Sequence, residues 1–345
     1  MKSKYSLIVL VIIFLSIVSC KKKTIEITEY TGDNWGFSTP NGFPNPDYNF
    51  ENNAQTRERF ELGRFLFYDP ILSSDSSISC SSCHAQAHAF ADHNIAFSKG
   101  VGGIKGHRNA PALSNLAWYK DFMWDGGVNH IEVQPLVPLT SSIEMNETME
   151  NIVKKLNNSH FYKDKFKKAY SIDIITGQKT LQALAQYMAM IISSNSKYDQ
   201  YLAGKSSFTS QEKEGLELFR SYCSNCHREP LFTDMSFRNS GLESTIVDIG
   251  RELVTQDPND KGKFKVPSLR NIELTYPYMH DGRFHSLSQV IDFKSDGIQH
   301  SSTLDPSLEN GFSFSVEQKN AIIAFLKTLT DYSLIGNPDL SEPKR

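Results

Sequence analysis

Cysteine is scarce in this sequence, five residues in 345, and neither sign of charge prevails: 36 Lys and Arg face 39 Asp and Glu, a net −3. With a pI near 6.4, the chain lacks the broad basic field that nucleic acid requires. Apolar residues reach only 39%, a modest supply for a core unless a large apolar cofactor is buried with it. Sustained alternation of apolar and polar residues is missing as well, so strands should be few. The one long apolar run, Leu7 to Val18, is too short and wrongly flanked for a transmembrane helix.

Four of the five cysteines fall in two motifs, Cys80-Ser81-Ser82-Cys83-His84 and Cys223-Ser224-Asn225-Cys226-His227. In a C-x-x-C-H motif the two thiols add to the vinyl groups of a haem, and the histidine ligates the iron from the proximal side. Chance placement would produce roughly 0.002 such motifs per chain, so two of them carry the assignment. A zinc site or a redox-active thiol pair is the alternative. Each motif, however, ends in His and stands without the second thiol pair that a structural zinc would want. The chain reads as a dihaem c-type cytochrome.

The fifth cysteine lies at Ile17-Val18-Ser19-Cys20, which follows Lys2, Lys4 and the apolar run and resembles a bacterial lipoprotein cleavage box. Residues 1–19 are then a signal peptide and Cys20 carries lipid, with a plain export signal or an uncleaved anchor as the alternative. No thiol is left for a disulfide. Lys21-Lys22-Lys23 suits a membrane surface, and Gly32, Pro40, Gly42, Pro44 and Pro46 mark residues 20–50 as an extended tether. The expected location is the bacterial cell envelope, lipid-anchored and facing the periplasm.

Beyond the tether the periodicity is helical. Met149, Ile152, Val153 and Leu156 form one stripe, and Leu181, Leu184, Ala185, Met188, Ile191 and Ile192 another. A third helix opens near Ser210 with Glu212 and Glu214 in its first turn and runs into the second motif. A fourth opens at Ser315 with Gln318 as its capping-box partner and buries Ile322, Leu326 and Leu329. The expected fold is mainly α: two cytochrome c-like haem domains with long loops, residues 51–205 and 206–333, divided near Gly204-Lys205-Ser206-Ser207. Residues 334–345 read as a polar tail.

Arg108-Asn109-Ala110-Pro111, Trp124-Asp125-Gly126, Gln134, Pro138 and Glu144-Met145 come next, followed by Val266-Pro267-Ser268-Leu269-Arg270-Asn271 and Pro277-Tyr278-Met279-His280-Asp281-Gly282-Arg283. In order and spacing these resemble the bacterial dihaem cytochrome c peroxidase family, which includes MauG-type enzymes that oxidise residues of a partner protein. The resemblance spans roughly residues 55–330. It implies that the N-terminal haem, with His84 as proximal ligand, meets peroxide, while the C-terminal haem, with His227, passes electrons to it. Gln134, Pro138 and Glu144 fall on positions that line the family's distal pocket. Splitting an O–O bond needs a group that takes a proton from one oxygen and delivers it to the other, and a carboxylate in an apolar pocket has its pKa raised toward the useful range. Read alone, Glu144 would be a helix-start acid. Trp124 falls on a tryptophan between the two haems, where an indole can relay an electron; read alone, it would be core beside Trp118, Tyr119 and Phe122. Asn109, Thr275 and Pro277 fall on residues that hold a calcium ion between the domains, and their amide and carbonyl oxygens suit that hard cation. As ordinary loop residues they would need no ion.

Two positions depart from the pattern. Val101 stands where peroxidases of this group keep a distal histidine, and valine cannot ligate, so the N-terminal iron should have an open sixth site. His88, His93 and His107 could substitute only if the loop folds differently. Lys294 stands where the group keeps a methionine on the second iron and MauG-type relatives a tyrosine. Leu287, Val290, Ile291 and Lys294 share one helical face. An amine there could ligate if iron and desolvation displaced its proton; it could equally snorkel to solvent before Gly297, leaving Met279 or His300 as ligand. The leading reading is a peroxidase that reduces hydrogen peroxide with electrons from a small cytochrome c or cupredoxin, since no flavin or nicotinamide motif is present. A MauG-type oxidase of a partner protein and a non-catalytic electron carrier are the rivals, and homodimers are common in the family.

Overall fold

The computed structural model describes residues 36–92 and 94–345; the expected signal peptide, Cys20, the tether to residue 35 and His93 lie outside the described residues. Helices dominate, in agreement with the periodicity. The N-terminal half contains α1 (Arg57–Tyr68), the short α2 (Leu136–Thr140), α3 (Met149–Asn158), α4 (His160–Tyr170) and α5 (Gly177–Ala189). After α6 (Lys197–Leu202) the C-terminal half contains α7 (Ser210–Tyr222), α8 (Glu252–Thr255), α9 (Leu287–Asp292), α10 (Val316–Lys327) and α11 (Tyr332–Ile335). The described residues hold one sheet, two short antiparallel strands, β1 (Phe237–Arg238) and β2 (Phe264–Lys265), with Phe237 opposite Lys265. None of the described helices is long and apolar enough to cross a membrane.

The helices start where side chains satisfy the free N–H groups of the first turn. Thr56, Thr148 and Thr176 cap α1, α3 and α5. Thr209 with Glu212, Ser286 with Gln289 and Ser315 with Gln318 form reciprocal capping boxes on α7, α9 and α10. The stripes of α3 and α5 face inward, with Ile152, Leu156, Leu184, Ala185 and Met188 buried; Ile191 is buried beyond the end of α5.

Each half has its own apolar cluster, built around the same helix pair. In the first, α1 crosses α5 so closely that a Cβ on Gly63 would collide with the carbonyl of Ala183. In the second, α7 crosses α10, and a Cβ on Gly215 would collide with the carbonyl of Ala321. The repetition extends into the loops. Pro111, Leu113, Asn115, Met123, Asp125 and Gly126 recur as Pro267, Leu269, Asn271, Met279, Asp281 and Gly282, each 156 positions later (267 against 111). Asn115 and Asn271 both take left-handed φ, near 61° and 62°. Their N–H groups donate to Ile191 O (2.8 Å) and Leu329 O (3.0 Å), tying each loop to the chain just past the last long helix of its half.

Both segments read as free of the core are attached to it. Phe37, Phe43, Tyr48 and Phe50 pack on the N-terminal cluster, and Trp118 Nε1 donates to Pro44 O at 2.8 Å, so the expected tether is folded onto the protein from at least Phe37. Residues 334–345, expected as a polar tail, return to the N-terminal half. Leu334 and Leu340 are buried in its cluster, Tyr68 and Tyr187 donate to Leu340 O at 2.8 and 2.6 Å, and Gln86 Nε2 donates to Asn337 O at 2.8 Å. Two leucines among polar residues were enough to anchor the segment, because its carbonyls find buried donors.

Candidate haem sites and the cavity between the halves

The two C-x-x-C-H motifs form the same turn. The N–H of His84 donates to Cys80 O, and that of His227 to Cys223 O, each at 2.9 Å; Cys83 and Cys226 donate to the same carbonyls, each at 3.2 Å. His84 Nδ1 lies 3.0 Å from Phe90 O, and His227 Nδ1 lies 3.1 Å from Phe232 O and 3.2 Å from Pro267 O. A carbonyl only accepts, so Nδ1 carries the proton and Nε2 keeps its lone pair for a metal. Burial lowers both imidazole pKa values, that of His227 to about 4, which favours the neutral ligand form. All four thiols are free of disulfides. Burial pushes Cys80 and Cys223 up to about 12, the opposite of the depressed pKa that marks a redox-active pair. Among the described residues no three His, Cys, Asp or Glu side chains converge as a metal cage. The donor set of each motif therefore fits a covalently held haem: two thiols and one oriented imidazole, with no second thiol pair.

Beside the first motif opens a cavity of about 1120 Å³. Cys80, Cys83 and His84 line it, and so do Trp124, Gln134, Pro138 and Glu144. The residues singled out from the sequence thus meet in one space. Burial raises the Glu144 carboxyl above its ordinary pKa. Its turn is pinned from outside: Val101 N donates to Glu144 O at 2.8 Å, and a Cβ on the preceding Gly100 would strike the carbonyls of Ile143 and Glu144. Val101 therefore supports the Glu144 turn through its backbone. Of the alternative histidines, His107 is exposed on the cavity lining, and His88 sits in a 3₁₀ turn, Gln86–His88. Gln134 Nε2 reaches Met123 Sδ at 3.9 Å. The C-terminal half closes the cavity with Ile249, Lys265, Pro267 and Arg270, a contribution sequence reading did not anticipate.

Near the second motif α9 continues into a π turn, Phe293–Gly297, a local widening frequent at functional sites. Lys294, in that turn, is half-buried and donates to Ser240 O at 3.2 Å. Burial lowers its amine to about 8, and its charge is felt by Cys223, Cys226 and His227. It stands 156 positions after Pro138 (294 against 138), so the repeat relates it to a lining residue of the first cavity. His300 is exposed.

The halves meet across repeat-related residues. Trp124 and His280 correspond, and their rings touch edge to face with centroids 6.4 Å apart. The N–H of Asn109 donates to His280 O at 2.6 Å, and the corresponding N–H of Lys265 donates to Trp124 O at 2.8 Å. Trp124 Nε1 donates to Asn109 O at 2.7 Å. His280 stacks on Phe264 with centroids 3.7 Å apart, and Arg108 bridges Asp248 of the C-terminal half (2.7 Å) and Asp125 (2.5 Å). Asn109 uses its Nδ2 on Ile95 O and Ala96 O (3.1 and 3.2 Å). Its Oδ1 and the carbonyls of Thr275 and Pro277 accept no hydrogen bond among the described residues. The internal sequence repeat was the available signal for this contact.

Comparison with known proteins agrees with this geometry. Residues 57–207 match the family described as di-haem cytochrome c peroxidase. The chain is 35% identical over 289 residues to the cytochrome c551 peroxidase of Nitrosomonas europaea, covering 82% of each chain. It is 31% identical over 299 residues to the methylamine utilization protein MauG of Methylophilus methylotrophus, covering 85% of this chain and 87% of that one. Among solved structures, a MauG-like protein associated with microbial copper homeostasis is similar with a TM-score of 0.84 and 32% identity, over 90% of this chain and 100% of the other.

Proposed function

Because this chain belongs to the di-haem cytochrome c peroxidase family, we propose that it reduces hydrogen peroxide to water with electrons from a small periplasmic donor protein. His84 with Cys80 and Cys83 would hold the haem that meets peroxide, and His227 with Cys223 and Cys226 the haem that receives electrons. The convergence of Gln134, Pro138 and Glu144 with His84 on one cavity carries the reading, because a mere electron carrier needs no proton-transfer group beside its haem. Haem iron supplies the site for peroxide and the route by which two electrons enter the O–O bond. The chain supplies the protons' path and the orientation. Glu144 would take the proton from the nearer oxygen and return it to the departing one, and two further protons with the two electrons would complete two waters from one peroxide. Gln134 offers an amide donor that orients the oxygens. Pro138 has no side-chain donor or acceptor and keeps that wall of the cavity apolar. Trp124, in contact with His280 of the other half, is the electron relay.

Val101 offers no ligand, so the resting ferric protein should show a high-spin population and should react with peroxide without prior reduction. A wholly low-spin resting spectrum, with reactivity appearing only after one-electron reduction, would overturn this reading and point to His107 or another loop histidine. Lys294 would offer its amine to the second haem, supported by its place in the repeat and by the burial that lowers its pKa to about 8. Asn109, with its side-chain oxygen, and Thr275 and Pro277, with their carbonyls, would hold a calcium ion, since none of these oxygens accepts a hydrogen bond among the described residues. Cys20 carries the lipid that tethers the protein to the envelope.

A second reading, oxidation of a partner protein's residues, is favoured by the cavity rim. Val247 and Leu253 line the cavity yet are 81% and 60% exposed, an apolar rim with no use to a substrate as small as peroxide. Turnover of peroxide against reduced cytochrome, compared with covalent change in a co-expressed partner, separates the two.

A further inference from the structure

Lys265 is the repeat counterpart of Asn109, and Tyr119 and Asp121 are the counterparts of Thr275 and Pro277, each pair 156 positions apart (265 against 109, 275 against 119, 277 against 121). The relation holds in space as well as in sequence, because the N–H groups of Asn109 and Lys265 make matching bonds to His280 and Trp124. On the Asn109 side three oxygens, Asn109 Oδ1 and the carbonyls of Thr275 and Pro277, have no donor among the described residues. On the Lys265 side the corresponding carbonyl is occupied: Lys265 Nζ donates to Asp121 O at 2.8 Å and stands 4.9 Å from the centre of the Tyr119 ring. No carboxylate lies within ion-pair distance of this ammonium among the described residues, so a surface salt bridge does not explain its position. The Asp121 carbonyl and the Tyr119 ring face are what hold it.

We infer that the Lys265 ammonium is a built-in cation occupying the repeat-related counterpart of the Asn109–Thr275–Pro277 site, so that the contact between the halves is held by one cation from the chain and one from solution. The inference rests on the calcium reading of the Asn109 site. It makes Lys265 a positioning residue, fixing the 119–121 loop against Trp124, and it explains why a molecule with an internal repeat would take up a single calcium ion.

The test exchanges the two residues in the haem-loaded protein and counts calcium after desalting from calcium-containing buffer. Wild type should retain one calcium per chain, Lys265→Asn two, and Lys265→Met one, since methionine supplies no oxygen. Asn109→Lys should retain none yet unfold thermally near the calcium-loaded wild type rather than the chelated one, the ammonium having replaced the ion. One calcium in wild type but only one in Lys265→Asn, with haem content and helicity intact, overturns the inference alone. So does an Asn109→Lys protein that unfolds like the chelated wild type, a result readable even if Lys265→Asn does not fold. No calcium in wild type instead overturns the reading of the Asn109 site, and the inference falls with it.

Discussion

At His84 and at His227 the backbone makes one turn twice, with the imidazole N–H anchored to a carbonyl five or six residues on (Phe232 and Phe90). Around those turns the same helix crossing recurs, α1 on α5 and α7 on α10, each admitted by a glycine. What differs lies in the side chains around the histidines. Where the first half has Pro138 in an open cavity with Gln134 and Glu144, the second has Lys294 on a π turn, its amine directed to Ser240 O and within electrostatic reach of His227. A duplicated scaffold thus presents two C-x-x-C-H motifs in one way, and a few side chains give them different surroundings: a cavity lined by a carboxyl and an amide beside the first, a buried amine near the second. The interface shows the same divergence in miniature, with Trp against His and Asn against Lys at matched positions.

The comparison can be broken most severely at the motifs. Cys80→Ala or Cys83→Ala should cost the first haem and leave the second attached, read as a mass gain of one haem instead of two; loss of both would mean that the halves do not mature independently. Next in size, Glu144→Gln keeps the shape of the open site but removes its exchangeable proton, and should slow the peroxide step by roughly 10²–10⁴-fold with haem content unchanged. The wild-type rate should also fall on the acid side through a pKa above the ordinary carboxylate range, because burial raises Glu144 and a base must be ionised to act. That limb should vanish in Glu144→Gln; its survival would assign the proton transfer to another group.

Smaller effects test whether the scaffold is matched as closely as it looks. Gly63→Ala and Gly215→Ala each drive a methyl into a facing carbonyl and should each destabilise by about 1–3 kcal/mol, the usual cost of overpacking. Denaturant unfolding followed by the absorption of each haem would show whether the losses stay within their own halves. The finest test is spectral. Lys294→Ala should move the second haem from low toward high spin and leave the first unchanged, while Lys294→Met should raise its potential, since thioether ligation favours ferrous iron. An untouched spectrum in Lys294→Ala would return this lysine to the role of a helix-end residue bonded to Ser240.

Local chemistry was legible without any structure. A C-x-x-C-H motif needs only five consecutive residues to bring two thiols and an imidazole together, and capping boxes such as Thr209 with Glu212 are settled within one turn. The inward stripes of α3 and α5 follow from a period of 3.6 residues. Glu144, Gln134 and Trp124 were found by resemblance in order and spacing, since nothing local distinguishes Glu144 from any acid before a helix. What the sequence by itself determined, then, is the pair of C-x-x-C-H motifs, the helical class and the duplication of a half. Only the tertiary structure decided that residues 334–340 pack back on the first half, that Lys265 and Arg270 of the second half close the first cavity, that Lys294 turns inward on a π turn, and that Trp124 meets His280. Each of these depends on surfaces that exist only once both halves have folded and met. Their contacts join residues more than a hundred positions apart, or, for Lys294, depend on whether the tertiary environment offers Ser240 O as an acceptor. Periodicity and spacing act along the chain and carry no information about such partners.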